Sequence, residues 1–196
     1  MKKGLMIGLM GAMTLVACNQ EKEKVEDQFN YTVEQFADLQ LLRFKVHGFE
    51  ELPLKQKELV YYLSEAALQG RDILFDQNGK YNLIIRKMLE VVYTDYQGDR
   101  SDANFKNFET YLKRVWFSNG IHHHYAADKF VPGFTPEFFK SALESVDASK
   151  LPLMEGETLD ALCKEVFPVI FDAKIMAKRV NQADGEDLVL TSASNY

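Results

Sequence analysis

Leu15-Val16-Ala17-Cys18 closes an apolar run that opens behind Lys2-Lys3, and it decides which part of the chain is left to fold. Two lysines, an apolar stretch from Gly4 to Ala17 and small residues leading into a cysteine follow the order of a bacterial lipoprotein signal. At about 14 residues the stretch falls short of the roughly 20 that a membrane-spanning helix needs. Behind Cys18 the chain turns abruptly polar, Asn19-Gln20-Glu21-Lys22-Glu23-Lys24, with no apolar area to bury. The expected organisation is a signal peptide over 1–17, a lipid-anchored polar tether over 18–32 and a folded region over 33–196. Cys18 is then the lipidation site and the membrane a partner through the lipid. The expected place is the cell envelope, in the periplasm or at the outer membrane. A secretory signal cut at another bond would leave Cys18 unexplained.

Loss of the signal leaves about 179 residues, enough for one domain with a real core. Only Cys163 then remains, so no internal disulfide can form. It sits among Leu159, Leu162 and Val166 and reads as a buried free thiol rather than a nucleophile. The net charge is −6 and no Lys/Arg cluster of nucleic-acid type occurs, which argues against DNA or RNA as a partner.

The apolar spacing predicts a mainly α fold with minor β, an α+β arrangement. Thr32 is placed to cap a short helix from Val33, whereas Leu41 to Val46 alternates as a strand with Leu42, Phe44 and Val46 on one side. Pro53 opens a helix whose Leu59, Tyr62, Leu63, Ala66 and Ala67 lead to Gly70, with continuation through Phe75. Tyr81, Ile84, Ile85, Met88, Leu89 and Val92 form the next apolar face. Asp102 caps a helix that turns Phe105, Phe108, Leu112 and Val115 inward and stops at Ser118-Asn119-Gly120. Thr135-Pro136-Glu137 starts another, and Thr158 a last one that Pro168 should end. Asp187 to Leu190 suggests a strand near the end of the chain.

Chemistry has one conspicuous address, His122-His123-His124. In an extended segment His122 and His124 face one way and can chelate a metal; on a helix His124 and Asp128 share a face. Neither arrangement makes three ligands and no second histidine cluster completes one, so no metal ligand is assigned. Three adjacent imidazoles cannot all point inward, and they follow a helix stop, where loops often carry binding residues. Ser118, Asn119, His122, His123, His124 and Tyr125 are therefore the candidates for lining a cleft. No His-Glu-x-x-His, Gly-x-Ser-x-Gly or phosphate-binding glycine loop occurs, and no catalytic residue is assigned.

Several runs resemble the N-terminal region of bacterial members of the dipeptidyl peptidase III family. They are Phe36-Ala37-Asp38-Leu39-Gln40-Leu41-Leu42-Arg43-Phe44, Val46-His47-Gly48-Phe49, Glu65-Ala66-Ala67-Leu68-Gln69-Gly70-Arg71-Asp72-Ile73 and Trp116 to Tyr125. Lys178-Arg179-Val180-Asn181-Gln182 and Ser192-Ala193-Ser194-Asn195-Tyr196 continue the likeness, so it runs collinearly over everything behind the tether. One departure is His47, where the family pattern has a proline before Gly48.

The resemblance implies a two-lobed zinc exopeptidase that releases dipeptides from the N-terminus of short peptides. One lobe holds zinc through a His-Glu-x-x-Gly-His motif and a later glutamate; the other carries a small β-core that accepts the peptide as an added strand. The motif is absent from this sequence, so no zinc ligand is carried over. The expectation is an N-terminal portion with an incomplete β-core, supplying scaffold and one cleft wall, with zinc and peptide substrate belonging to the intact enzyme. The alternative is a non-catalytic periplasmic binding or accessory lipoprotein.

Overall fold

Residues 29–179 are described by a computed structural model, and they begin with a strand pair rather than a helix. Strand β1 (Thr32–Phe36) runs antiparallel to β2 (Leu39–Leu42), with Phe36 opposite Leu39 and Thr32 opposite Leu42. The register slips between Thr32 and Glu34, so Val33 is an extra residue on its strand. This corrects the helix expected from Val33. The cause is a two-residue loop, Ala37-Asp38, in which Ala37 takes the left-handed conformation at φ 49° without help from glycine or asparagine. The expected strand over Leu41 to Val46 is also shifted, since β2 ends at Leu42 and Phe44 and Val46 lie exposed beyond it.

Helix α1 (Leu54–Gln69) follows Pro53, and α2 (Arg71–Gln77) begins after Gly70, so the expected continuation is broken into two helices. Helices α3 (Asn82–Asp95), α4 (Ala103–Ser118), α5 (Pro136–Glu144) and α6 (Leu159–Phe171) complete the α-helices among the described residues, beside two short 3-10 turns at Phe49–Glu51 and Ala148–Lys150. Three start at side-chain caps foreseen from the sequence. Asp102 accepts from Asn104 N–H, Thr135 from Phe138 N–H and Thr158 from Ala161 N–H. Helix α6 does not stop at Pro168. Its last turn continues to Phe171, with Asp172 N–H donating to the Pro168 carbonyl at 3.0 Å. Proline removes its own donor, but its carbonyl still accepts.

The core lies among α2 to α6. Ile85, Met88, Leu89 and Val92 of α3 face Phe105, Phe108, Leu112 and Val115 of α4, while Phe139 and Leu143 of α5 and Val166 and Ile170 of α6 close the other side. Aromatic rings dominate, with Phe108 touching Phe105, Phe134, Phe138 and Phe139. Cys163 is buried in this region, and burial pushes its thiol pKa up. Arg86 is buried too. Its guanidinium lies over Phe75 and pairs with Asp72 and Glu90, while Glu90 also accepts from the Trp116 indole N–H at 2.8 Å. This network ties α2, α3 and α4 together. The hairpin is held to α4 by Lys113 with Glu34 and by Arg114 with Asp38.

Helix α1 is the exception. None of its residues is buried, although Leu59-Val60-Tyr61-Tyr62-Leu63 is apolar all round, each residue 43–67% exposed. No helix among the described residues is long and apolar enough to cross a membrane. Cys18, the tether before residue 29, the Asp187–Leu190 strand and the runs behind Arg179 lie outside the described residues.

Candidate functional site

Helix α4 ends where the sequence stops it. Asn119 adopts the left-handed conformation at φ 52°, and Gly120 N–H returns to the Val115 carbonyl at 3.0 Å. The chain then leaves the helix hard against Asn82, a buried residue of α3 whose Oδ1 accepts from Ile121 N–H at 3.1 Å. From Ile121 to Phe130 it folds back on itself, with Phe130 N–H donating to the Ile121 carbonyl and His123 N–H to the Asp128 carbonyl. A third segment lies alongside, as Lys129 N–H donates to the Ala177 carbonyl and Arg179 N–H to the Ala127 carbonyl. The segment is not helical, so His124 and Asp128 do not share a helix face.

The three histidines go three ways. His122 is 2% exposed, with Nε2 2.8 Å from the Met176 carbonyl and Nδ1 without a partner. His123 uses Nδ1 to accept from Tyr125 N–H at 3.2 Å and Ala126 N–H at 3.0 Å, shaping its own turn. His124 stacks on His123 at 4.5 Å, meets Phe117 edge-on at 4.9 Å and leaves its buried Nδ1 unpartnered. Tyr125 points out to solvent.

A cavity of about 400 Å³ opens beside this segment, its walls including Asn78, Ser118, Asn119, His124 and Arg179. Of the six cleft candidates it thus gathers Ser118, Asn119 and His124, while His122, His123 and Tyr125 fall outside its lining. Sequence reasoning missed Asn78 and Arg179. They sit 101 positions apart, yet Arg179 Nη1 donates to Asn78 Oδ1 at 3.0 Å. Asn78 in turn donates from Nδ2 to the carbonyls of Ser118 and Asn119, occupying acceptors that the end of α4 leaves open. No local pattern marks either residue. Arg179 was visible only as part of the Lys178–Gln182 likeness.

The donor set does not fit a zinc ion. One nitrogen of His122 is engaged by a carbonyl and one of His123 by two amides. Among the described residues no three His, Cys, Asp or Glu side chains group as metal ligands.

His122 gives the site a pH dependence. Burial holds its imidazole below the ordinary pKa of 6.5, the Met176 carbonyl works the other way, and Arg179 and Lys129 push the same way as burial against a small opposing pull from Asp128. The folded state therefore takes up this proton later than the unfolded chain as pH falls. The contribution of neutral His122 is complete above about pH 6.5 and is lost progressively below it, down through the depressed folded-state value. Urea midpoints measured from pH 7.5 to 5 should fall in the wild type, and the slope should be shallower in His122→Asn. Equal slopes would exclude His122 as the source.

No protein-family model matches this chain, and no curated protein matches it.

Proposed function

We propose that this chain is the N-terminal scaffold of a larger, lipid-anchored zinc-dependent dipeptidyl peptidase, providing one wall of the peptide cleft while the zinc and its general base belong to a further part of the enzyme. The observation that carries this reading is the surface of α1. A helical turn that is apolar on every side belongs against other protein, and here Leu59 to Leu63 of α1 stand uncovered. Leu68, Ile73 and Leu74 are exposed as well, and so are Phe44 and Val46 behind the hairpin. Apolar patches of that extent normally mark a surface that another body covers. The collinear likeness to the dipeptidyl peptidase III family supports reading that body as the rest of such an enzyme, and the cavity beside Ser118 adds a polar recess facing outward.

The 196-residue chain should release no dipeptide from short peptides, with or without zinc, because a catalytic zinc takes about three protein ligands and a water. A polypeptide extended through a His-Glu-x-x-Gly-His motif should release dipeptides, and chelation should abolish it. Chelator-sensitive dipeptide release by the short chain alone would overturn the division of labour proposed here. Inactivity of the extended form would favour the accessory lipoprotein instead.

Envelope anchoring is part of the same proposal and rests on Cys18. Acyl chains add about 0.8 kcal/mol of membrane affinity per buried methylene, so two or more make attachment stable. Cys18→Ser should leave the precursor with its signal attached, read by mass spectrometry of the membrane fraction. A soluble, unmodified wild-type chain would refute lipidation.

A further inference from the structure

The cavity beside Ser118 holds a cation with no acid among the described residues to answer it. Its walls comprise one leucine, neutral polar side chains, His124 and the Arg179 guanidinium, and none of them is acidic. Arg179 is half-buried and fixed at two points, its backbone N–H on the Ala127 carbonyl and its Nη1 on Asn78 Oδ1. It forms no salt bridge with a described residue, and its buried Nε has no hydrogen-bond partner. Two further buried groups of the same walls are left over, the hydroxyl of Ser118, a residue 4% exposed, and Nδ1 of His124. Buried polar atoms are normally partnered, and those left without a partner need an explanation. Here three orphaned atoms and one charge that no described residue compensates belong to residues around one recess.

The carbonyls at the end of α4 would draw a cation, but Asn78 Nδ2 already occupies those of Ser118 and Asn119. What the recess still offers is the rest of the Arg179 guanidinium, while the Ser118 hydroxyl and His124 Nδ1 are closed to solvent and reach a ligand only when their side chains turn toward it. We propose that it binds a carboxylate, with Arg179 as charge partner and the Ser118 hydroxyl and the His124 imidazole, in its Nδ1–H tautomer, as additional donors. A planar guanidinium fork matches the two oxygens of a carboxylate, and a volume of about 400 Å³ lies in the range of small-ligand pockets. The owner of the carboxylate is the C-terminus of a short peptide. That part rests on the peptidase reading; the anion site itself does not.

The test uses the purified chain and three probes, acetate, tri-alanine and tri-alanine with an amidated C-terminus, followed through the Arg179 Nε–H resonance. Acetate should shift the resonance saturably, and tri-alanine should do so at lower concentration. The amide should bind about tenfold more weakly than the acid or worse, as loss of a charge-assisted pair implies. Arg179→Gln should erase the acid–amide difference, and Ser118→Ala, which keeps the charge, should weaken the acid only severalfold. Equal binding of acid and amide, discrimination that survives in Arg179→Gln, or no shift with any probe would each overturn the carboxylate site. Acetate binding as tightly as tri-alanine would keep the anion site and overturn its assignment to a peptide end, whatever the extended enzyme proves able to hydrolyse.

Discussion

Phe108→Ala should destabilise the chain by about 3–5 kcal/mol, the largest loss expected from any single truncation in this fold. The ring is fully buried and has four phenylalanine neighbours, with centroids 5.6 Å away at Phe105 and Phe134, 6.3 Å at Phe138 and 6.0 Å at Phe139. Those neighbours come from α4, the α4–α5 connection and α5, so no one element can shift to fill the void. Part of the cost is lost burial and part is the cavity left behind. Urea denaturation gives the number. Tyr62→Ala on α1 is the natural control, since that ring is 67% exposed and exposed substitutions stay within about 0.5 kcal/mol. A cost for Phe108→Ala below about 1 kcal/mol would mean that the aromatic cluster collapses freely, contrary to the close packing expected of a core.

Gly120→Ala should cost about 1–3 kcal/mol and should also move the candidate site, which Phe108→Ala should not. A Cβ on Gly120 would stand 2.3 Å from Asn82 Nδ2 and 2.6 Å from its Cγ. Asn82 cannot retreat, because it is buried, its Oδ1 holds Ile121 N–H and a Cβ at Gly79 would meet the same amide at 2.8 Å. Two glycines therefore make room for one asparagine, and that asparagine sets where the chain goes after α4. The comparison variant is Gly156→Ala, whose φ of 77° strains a side chain but whose Cβ would meet nothing within 4 Å. Both should lower the melting temperature. Only Gly120→Ala should perturb the Arg179 Nε–H and His124 resonances. Identical spectral changes in the two variants would mean that Asn82 does not steer the loop.

The helical half of the molecule was legible because its signals are local. The caps at Asp102, Thr135 and Thr158 and the 3.6-residue spacing of α3 and α4 each lie within a few positions. The hairpin was not, since Ala37-Asp38 carries none of the Asn-Gly or Asp-Gly chemistry that announces such a turn. Pro168 misled because a proline forbids its own donor but not the acceptance of a later one. In the candidate site the segment Ser118–Tyr125 could be singled out for its histidines and helix stop. The sorting of its six side chains depends on Asn82 and on the strand-like run up to Arg179, both distant in sequence. No periodicity reports on either.

The bond between Arg179 and Asn78 spans 101 positions, and this separation fixes an order of events during synthesis. Closing a loop of that length costs roughly 4 kcal/mol of chain entropy, which the core must supply before the contact can last. Helices α2 to α6 are all present once residue 171 has emerged, whereas the recess gains its cation only eight residues later. A chain halted between those points would have a complete helical core and no charge in its recess. If the recess is a carboxylate site, binding capacity is withheld until the core exists, so a chain emerging from the ribosome cannot capture a ligand before it has a fold to hold it.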